Sequence, residues 1–84
     1  MSSETYHEVT EKTFAGDNPR VERTESWYKD GKLHREDGPA VIFPSGTQDW
    51  YLNGERHRED GPAVIRKNGT QEWWLNGVCQ KVSR

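Results

Sequence analysis

The sequence predicts an all-β protein, because one pattern recurs along most of its 84 residues. Aligning Trp27, Trp50 and Trp73 gives a constant period of 23 residues. Each tryptophan lies in a run rich in aromatic and β-branched residues, which is the composition typical of strands. An Asp-Gly or Asn-Gly pair follows each run, and such pairs favour two-residue hairpin turns because both turn residues need positive φ. We therefore expect an antiparallel meander of hairpins.

The repeating unit consists of an aromatic strand, a hairpin turn and a longer return strand. Two units are complete, at 24–46 and 47–69, and a third is truncated, at 70–84. A period of this length is typical of repeat proteins, in which adjacent units bury each other's faces. The third unit has Gln80 and Lys81 where the others have His-Arg, as expected of a capping repeat.

We predict one domain over 1–84, with the repeat region at 21–84 and an N-terminal cap at 1–20. The cap sequence TYHEVTEKTF fits a strand or a short helix, and we favour an irregular or strand-like segment that covers the first edge of the sheet.

Nine residues, HREDGPAVI, are identical at 34–42 and 57–65. Proline has no N–H to give to a strand ladder, and glycine tolerates positive φ, so Glu-Asp-Gly-Pro interrupts the return strand with a bend or bulge. We interpret the identity as a structural requirement, in which each unit needs the same bend and the same packing after it.

Strand alternation places the two aromatic residues of each unit on opposite faces of the sheet. Trp27, Trp50 and Trp73 share one face, where we expect the indoles to rest against one another as a core. The second face is expected to be half exposed, with its rings either stacked as cross-strand pairs or available to a partner or a second copy.

Charge and composition argue against several classes of function. The chain has 12 basic and 14 acidic residues, interleaved, with a formal net charge of -2. That balance argues against a nucleic-acid surface, although arginines and aromatics on a β-sheet keep it as an alternative. No apolar run is long enough for a membrane span. The single cysteine, Cys79, excludes an internal disulfide and fits a reducing compartment such as the cytoplasm.

We predict no enzymatic activity, no metal and no cofactor. No nucleophile is placed beside a base, and adjacent strand residues point to opposite faces, so three ligands do not converge. His34, Arg35, His57 and Arg58 form either a surface row of charge pairs with histidine beside tryptophan, or arginine forks that recognise a carboxylate or phosphate.

The chain resembles MORN repeats, through its W-x-x-N-G-x-x-H spacing, its Gly-rich bend and its 23-residue period. It is more similar to a MORN-like variant with W-Y-x-N-G-x-x-H-R-x-D-G-P-A units, found in phage and giant-virus proteins. The resemblance covers Thr24 to about Lys81; where a standard unit has glycine after histidine, this chain has Arg35 and Arg58.

The resemblance and the small size imply a non-enzymatic protein-binding module. Its sharpest form is a phage-type effector in the host cytoplasm that occupies the surface of a host enzyme or defence complex, as anti-CRISPR proteins do. The alternatives are a self-assembling β-repeat protein, such as a homodimer, and a nucleic-acid-binding β surface. The residues expected to contact a partner are Tyr28, Tyr51, Trp74, His34, Arg35, His57 and Arg58.

Overall fold

A computed structural model of the chain describes residues 4–83, and the regular elements in this range are all β-strands, which confirms the all-β prediction. The molecule is thin, with extents of 43 × 40 × 16 Å. In chain order the strands are β1 (Thr5–Phe14), β2 (Arg20–Lys29), β3 (Lys32–Leu33), β4 (Val41–Ile42), β5 (Gln48–Asp49), β6 (Tyr51–Leu52), β7 (Glu55–Arg56), β8 (Val64–Ile65), β9 (Gln71–Leu75) and β10 (Val78–Ser83).

The strands form two sheets. The larger is an eight-stranded antiparallel sheet in the order β1-β2-β4-β5-β8-β9-β10, with β3 folded back on the end of β2. The smaller is the hairpin of β6 and β7, so each unit contributes one hairpin: β2 with β3, β6 with β7, and β9 with β10. After its hairpin, the return strand of each complete unit passes through the Glu-Asp-Gly-Pro bend and then pairs in the larger sheet as β4 or β8.

The hairpin turns have the predicted geometry. Asp30, Asn53 and Asn76 have φ values of 51°, 52° and 51°, and the glycine after each also has positive φ. Two successive residues with positive φ define the type I′ turn, whose twist matches that of the flanking strands.

A histidine joins each hairpin to the next one. Two backbone hydrogen bonds connect the first hairpin to the second, and the equivalent two connect the second to the third. Beside them, the Asn53 N–H donates to Nδ1 of His34 at 2.9 Å, and the Asn76 N–H donates to Nδ1 of His57 at 2.9 Å. Because a backbone N–H only donates, Nδ1 is the unprotonated nitrogen of each ring. The imidazole thus replaces a missing backbone acceptor.

The N-terminal cap is strand-like. β1 pairs with β2 along its whole length, from Thr5 opposite Lys29 to Phe14 opposite Arg20, so it covers the first edge of the repeat region. The first three residues of the predicted cap lie outside the described range.

The buried residues are few: two small apolar residues directly after each bend, and one aspartate on β5. Within 4–83 they are Ala40, Val41, Asp49, Ala63 and Val64. The predicted core of mutually packed indoles is wrong, since the three repeat tryptophans are half-buried and no two of their rings stack in the described part of the chain. The reason is that a cation covers each ring: Arg35 and Arg58 come from the bends, and Lys81 comes from β10.

One charge pair lies in this small core. Asp49 is 5% exposed, and its Oδ2 accepts a hydrogen bond from Nη2 of Arg56 at 3.3 Å. The pairing is incomplete, because Oδ1 of Asp49 and Nε of Arg56 are buried without a hydrogen-bond partner in the described structure. The guanidinium also lies 5.8 Å from the Tyr51 ring and 5.1 Å from the Trp74 ring. Arg56 therefore both neutralises the buried carboxylate and covers two aromatic rings.

We expect the Arg56→Ala variant to lose about 2–4 kcal/mol of unfolding free energy, because Asp49 is left as a buried carboxylate without its cation. Urea denaturation monitored by tryptophan fluorescence measures the loss. The matched control is the double variant Asp49→Val/Arg56→Leu, which removes both charges and should recover much of the stability. A loss below about 0.5 kcal/mol in Arg56→Ala, the range of ordinary surface changes, would show that the pair does not stabilise the fold.

Candidate functional site

The most distinctive local structure is a cation stacked on each repeat tryptophan. Cζ of Arg35 lies 3.9 Å from the ring centroid of Trp27, and Cζ of Arg58 lies 4.0 Å from that of Trp50. In the truncated unit, Nζ of Lys81 lies 5.1 Å from the ring of the third tryptophan. These distances are within the range of cation–π attraction, and the alkyl stems add apolar cover.

The bend holds each guanidinium in place. Nε of Arg58 donates to Oδ1 of Asp60 at 3.1 Å, and its Nη1 donates to the carbonyl of Pro62 at 3.0 Å. Arg35 makes the same two bonds in the first bend, each at 3.2 Å. Charge-assisted bonds of this kind orient a planar group firmly.

Glycine makes the close approach possible. A Cβ on Gly38 would lie 2.9 Å from Cζ of Arg35, and a Cβ on Gly61 would lie 2.9 Å from Cζ of Arg58. The bend can therefore lie directly on the guanidinium only where the residue lacks a side chain. This packing supports the interpretation that the nine identical residues repeat a structural unit: histidine joins hairpins, arginine covers indole, aspartate and the proline carbonyl hold it, and glycine gives clearance.

The first tryptophan is covered on its other side as well. The imidazole of His7, on β1, lies 4.2 Å from the Trp27 ring with an interplanar angle of 11°. Its Nε2 lies 3.1 Å from a carboxylate oxygen of Glu25. Since two groups about 4 Å from one ring occupy its two faces, Trp27 is held between Arg35 and His7.

A groove of about 480 Å³ lies between the first bend and the second hairpin, and we call it the bend groove. Its lining combines residues of the two bends with Trp50 and Leu52. Its lining residues are Arg35, Glu36, Asp37, Gly38, Trp50, Leu52, His57, Arg58, Glu59 and Asp60.

The electrostatics of the bend groove favour a cation. Its lining contains two arginines and four carboxylates, a net formal charge of -2 with histidine neutral. The arginines are folded against indole rings, with side chains 27% and 24% exposed, whereas the carboxylate side chains are 78–90% exposed. The negative charges thus reach solvent and the positive charges lie behind them.

The predicted partner residues are divided between two places. Arg35, His57 and Arg58 lie together in the bend groove, and His34 lies beside it in the first hairpin. Tyr28, Tyr51 and Trp74 form a row in the hairpins, and all seven residues are half-buried. Sequence reasoning missed Trp50, Leu52 and the acidic residues as groove residues. The signal that could have found the acidic residues is their recurrence in both bends.

The rings of the aromatic row are largely occupied within the molecule. Tyr6 stacks on Tyr28 at 4.9 Å, and Arg56 lies against the other two rings. The indole N–H of Trp74 donates to Oε1 of Glu72 at 2.9 Å. That hydrogen bond lowers the pKa of Glu72, with a further contribution from Arg66, whose Nη2 lies 2.9 Å from Oε2.

Among residues 4–83, neither a cluster of metal ligands nor a membrane-spanning helix is found. Within 4–83, no group of three or more histidine, cysteine, aspartate or glutamate side chains is arranged to hold a metal ion. Cys79 is exposed, and its nearest polar contact is the carbonyl of Lys81 at 3.8 Å. No helix in this range is long and apolar enough to cross a bilayer. What the site offers is a shaped, charged surface.

We expect Gly61→Ala to be destabilising by about 1 kcal/mol, because the new methyl group displaces the guanidinium from Trp50. In the Arg58→Ala background the same change should have almost no effect, since the clashing group is gone. A double-mutant cycle by urea denaturation measures this coupling. Equal costs in both backgrounds would mean that Gly61 is needed for its own backbone conformation and not for the stack.

The lowered pKa of Glu72 predicts how the stability of a Trp74→Phe variant changes with pH. The hydrogen bond to ionised Glu72 stabilises the fold fully above its ordinary carboxyl pKa of 4.5, and this contribution is lost as the pH falls through the lowered value. The difference in unfolding free energy between wild type and Trp74→Phe should therefore be largest at neutral pH and narrow in acid. Trp73→Phe is the matched control, with a difference that should stay constant. A constant difference for Trp74→Phe too would contradict this account of the pKa.

Comparison with known proteins returned nothing that identifies the chain. No protein-family model, no curated protein and no solved structure matches it. The likeness to MORN-type units therefore stays a resemblance, and the function is argued from the geometry of the bend groove.

Proposed function

We propose that the protein is a non-enzymatic protein-binding module and that its bend groove takes a basic segment of the partner. The observation that carries the proposal is the bend groove itself, which is lined by Trp50 and by four exposed carboxylates. An arginine or lysine side chain that enters it contacts an aromatic ring and a carboxylate at once.

The first unit supports this choice of ligand. There the ring of Trp27 has a planar nitrogen heterocycle, His7, on the face turned away from its arginine. A carboxylate, Glu25, lies 3.1 Å from that imidazole. The combination of indole, planar nitrogen group and carboxylate already exists inside the molecule. The partner's cation would reproduce it at the second unit.

The groove is also preorganised. Hydrogen bonds fix both bends to their arginines, and the histidine links fix the hairpins that carry the bends. A surface that is already ordered loses less entropy on binding than a flexible loop does.

A nucleic-acid-binding function has weaker support. A second groove is lined by several basic residues, among them Arg20, Arg23, Arg66 and Lys67. Each of its three arginines forms an ion pair with a glutamate, at 3.0, 3.0 and 2.9 Å. These guanidinium groups are already neutralised, so they attract phosphate less strongly.

The finer identity of a phage-type effector that blocks a host enzyme or defence complex rests on the MORN-like resemblance and on the small size of the chain. We place such an effector in the reducing cytoplasm of the host, consistent with the single exposed thiol of Cys79. Inhibition by occupying a surface requires no catalytic residue.

Binding can be tested with a short peptide of alternating arginine and glycine, titrated into isotope-labelled protein and followed by NMR. We expect the indole N–H signal of Trp50 to shift, with salt-sensitive affinity. The Glu36→Gln/Glu59→Gln variant should bind roughly fivefold more weakly, since each exposed ion pair contributes up to about 1 kcal/mol.

Two controls make the titration specific. Glu55→Gln removes an exposed carboxylate outside the bend groove and should leave the affinity unchanged. A peptide with citrulline in place of arginine keeps the shape of the side chain without its charge and should bind poorly. Equal shifts with both peptides, or no shift with the arginine peptide at millimolar concentration, would refute the proposed function.

A further inference from the structure

The first edge of the sheet is long and unpaired. β1 has ten residues, and nine of them are exposed. Its β2 side is fully hydrogen-bonded, and its other side faces solvent. Two large apolar side chains on it are also exposed, Tyr6 at 54% and Val9 at 45%. An edge of this kind presents a row of free backbone donors and acceptors to another strand.

The two edges of the sheet differ in how they are protected. On the opposite edge, the pairing of β10 with β9 shifts register between Cys79 and Lys81, which marks a bulge that distorts the strand. β1 pairs with β2 without a shift in register and contains no proline. Bulges and prolines are two of the devices that prevent edge-to-edge pairing, and β1 has neither, although it carries the charged residues Glu8, Glu11 and Lys12.

Within the described chain, the C-terminal half of β1 lies in a part of the sheet that has only two strands. β4 pairs with β2 only at Glu25 and Ser26, so residues 10–14 and 20–24 form a two-stranded ribbon. A two-stranded ribbon is marginally stable in water, and a third strand stabilises it considerably.

We propose that this edge binds a second copy of the chain, with β1 pairing antiparallel with β1 of the copy across a twofold axis. The eight-stranded sheets of the two copies then become one continuous sheet, and each two-stranded ribbon gains a third strand. The interface uses the same surface on both copies, as a twofold axis requires.

The hydrogen bonds of β1 limit the possible registers. The carbonyl of Glu4 accepts from the N–H of Asp30, so the even-numbered residues of β1 are the ones that bond to β2. The odd-numbered residues direct their N–H and C=O groups to the free edge, because the two alternate in an antiparallel strand. Odd-numbered residues of one copy must therefore pair with odd-numbered residues of the other. The twofold axis then passes through a position where a residue lies opposite the same residue of the copy.

Charge then selects among the central positions. An axis at Glu8, Glu11 or Lys12 places like charges opposite each other, which is destabilising. Axes at Val9 and Thr10 avoid this.

Of these two, an axis at Thr10 makes the better use of unpaired charges. It places Glu8 opposite Lys12 of the copy, and within 4–83 neither side chain has an ion-pair partner. It also places Tyr6 opposite Phe14 of the copy. An axis at Val9 instead sets His7 against Glu11, which already pair with Glu25 and Arg23 respectively. Charge complementarity therefore places the twofold axis at Thr10.

Sedimentation equilibrium of the full chain tests the proposal. We expect wild type to form a dimer with a concentration-dependent mass. Glu8→Lys places two lysines opposite each other at two symmetric positions and should raise the dissociation constant roughly tenfold. Lys12→Glu should do the same, and the double variant Glu8→Lys/Lys12→Glu should restore wild-type affinity. Lys67→Glu, away from β1, is the matched control and should have no effect.

Cross-linking tests the register. In the Cys79→Ser background, Thr10→Cys should form a disulfide-linked dimer on mild oxidation, because Thr10 faces itself at a non-hydrogen-bonded position, where the two Cβ atoms are close. Thr13→Cys, on the same strand, faces His7 of the copy and should not cross-link. A strict monomer at millimolar concentration, a dimer insensitive to Glu8→Lys, or equal cross-linking at both positions would overturn the proposal. The Glu36→Gln/Glu59→Gln variant should still dimerise, so the dimer and the bend groove can fail independently.

Discussion

The arginine stacked between an indole ring and a glycine bend is the interaction on which the rest of this structure depends. A sheet that is one layer thick has no helix or second sheet to cover its aromatic rings. Here the return strand leaves the sheet, places a guanidinium on the tryptophan ring of its own unit, and then pairs beside the aromatic strand of that unit, at β2 in the first unit and at β5 in the second. Arg58 on Trp50 combines cation–π attraction with the burial of alkyl surface. The four-residue bend of each complete unit therefore provides the cover that a second layer provides in other sheet proteins.

The ends of the array show which parts of the unit each position requires. His34 and His57 each accept an N–H from the next hairpin, whereas Gln80, at the equivalent position of the third unit, donates its side-chain N–H to the carbonyl of Val78 at 3.1 Å. The indole of the third unit still needs cover, and Lys81 keeps a cation over it. The third unit thus replaces the histidine of the other two units and keeps the cation over the indole.

Sequence reasoning predicted the features set by local backbone chemistry. The type I′ turns follow from Asp-Gly and Asn-Gly, and the interruption of the return strand follows from the Gly-Pro pair. It failed on the indoles, because alternation assigns a residue to a face and does not say which neighbour reaches it. The arginine that covers Trp50 is eight residues later and folds back from a bend whose path no periodicity rule describes. The roles of Gly61 and His57 depend on that path, so they were out of reach too. The one available signal for the stacked cations was their recurrence eight residues after Trp27, Trp50 and Trp73.

The two acidic residues of each bend differ in a way that bears on function. Asp37 and Asp60 hold the stacked guanidinium, so the fold explains their recurrence. Glu36 and Glu59 have side chains 78% and 84% exposed, and their nearest polar contacts are histidine nitrogens at 3.5 Å, the outer limit of a hydrogen bond. Internal packing thus gives little reason for a glutamate at this position in both units. The proposed basic partner supplies one, because both glutamates line the bend groove together with Trp50.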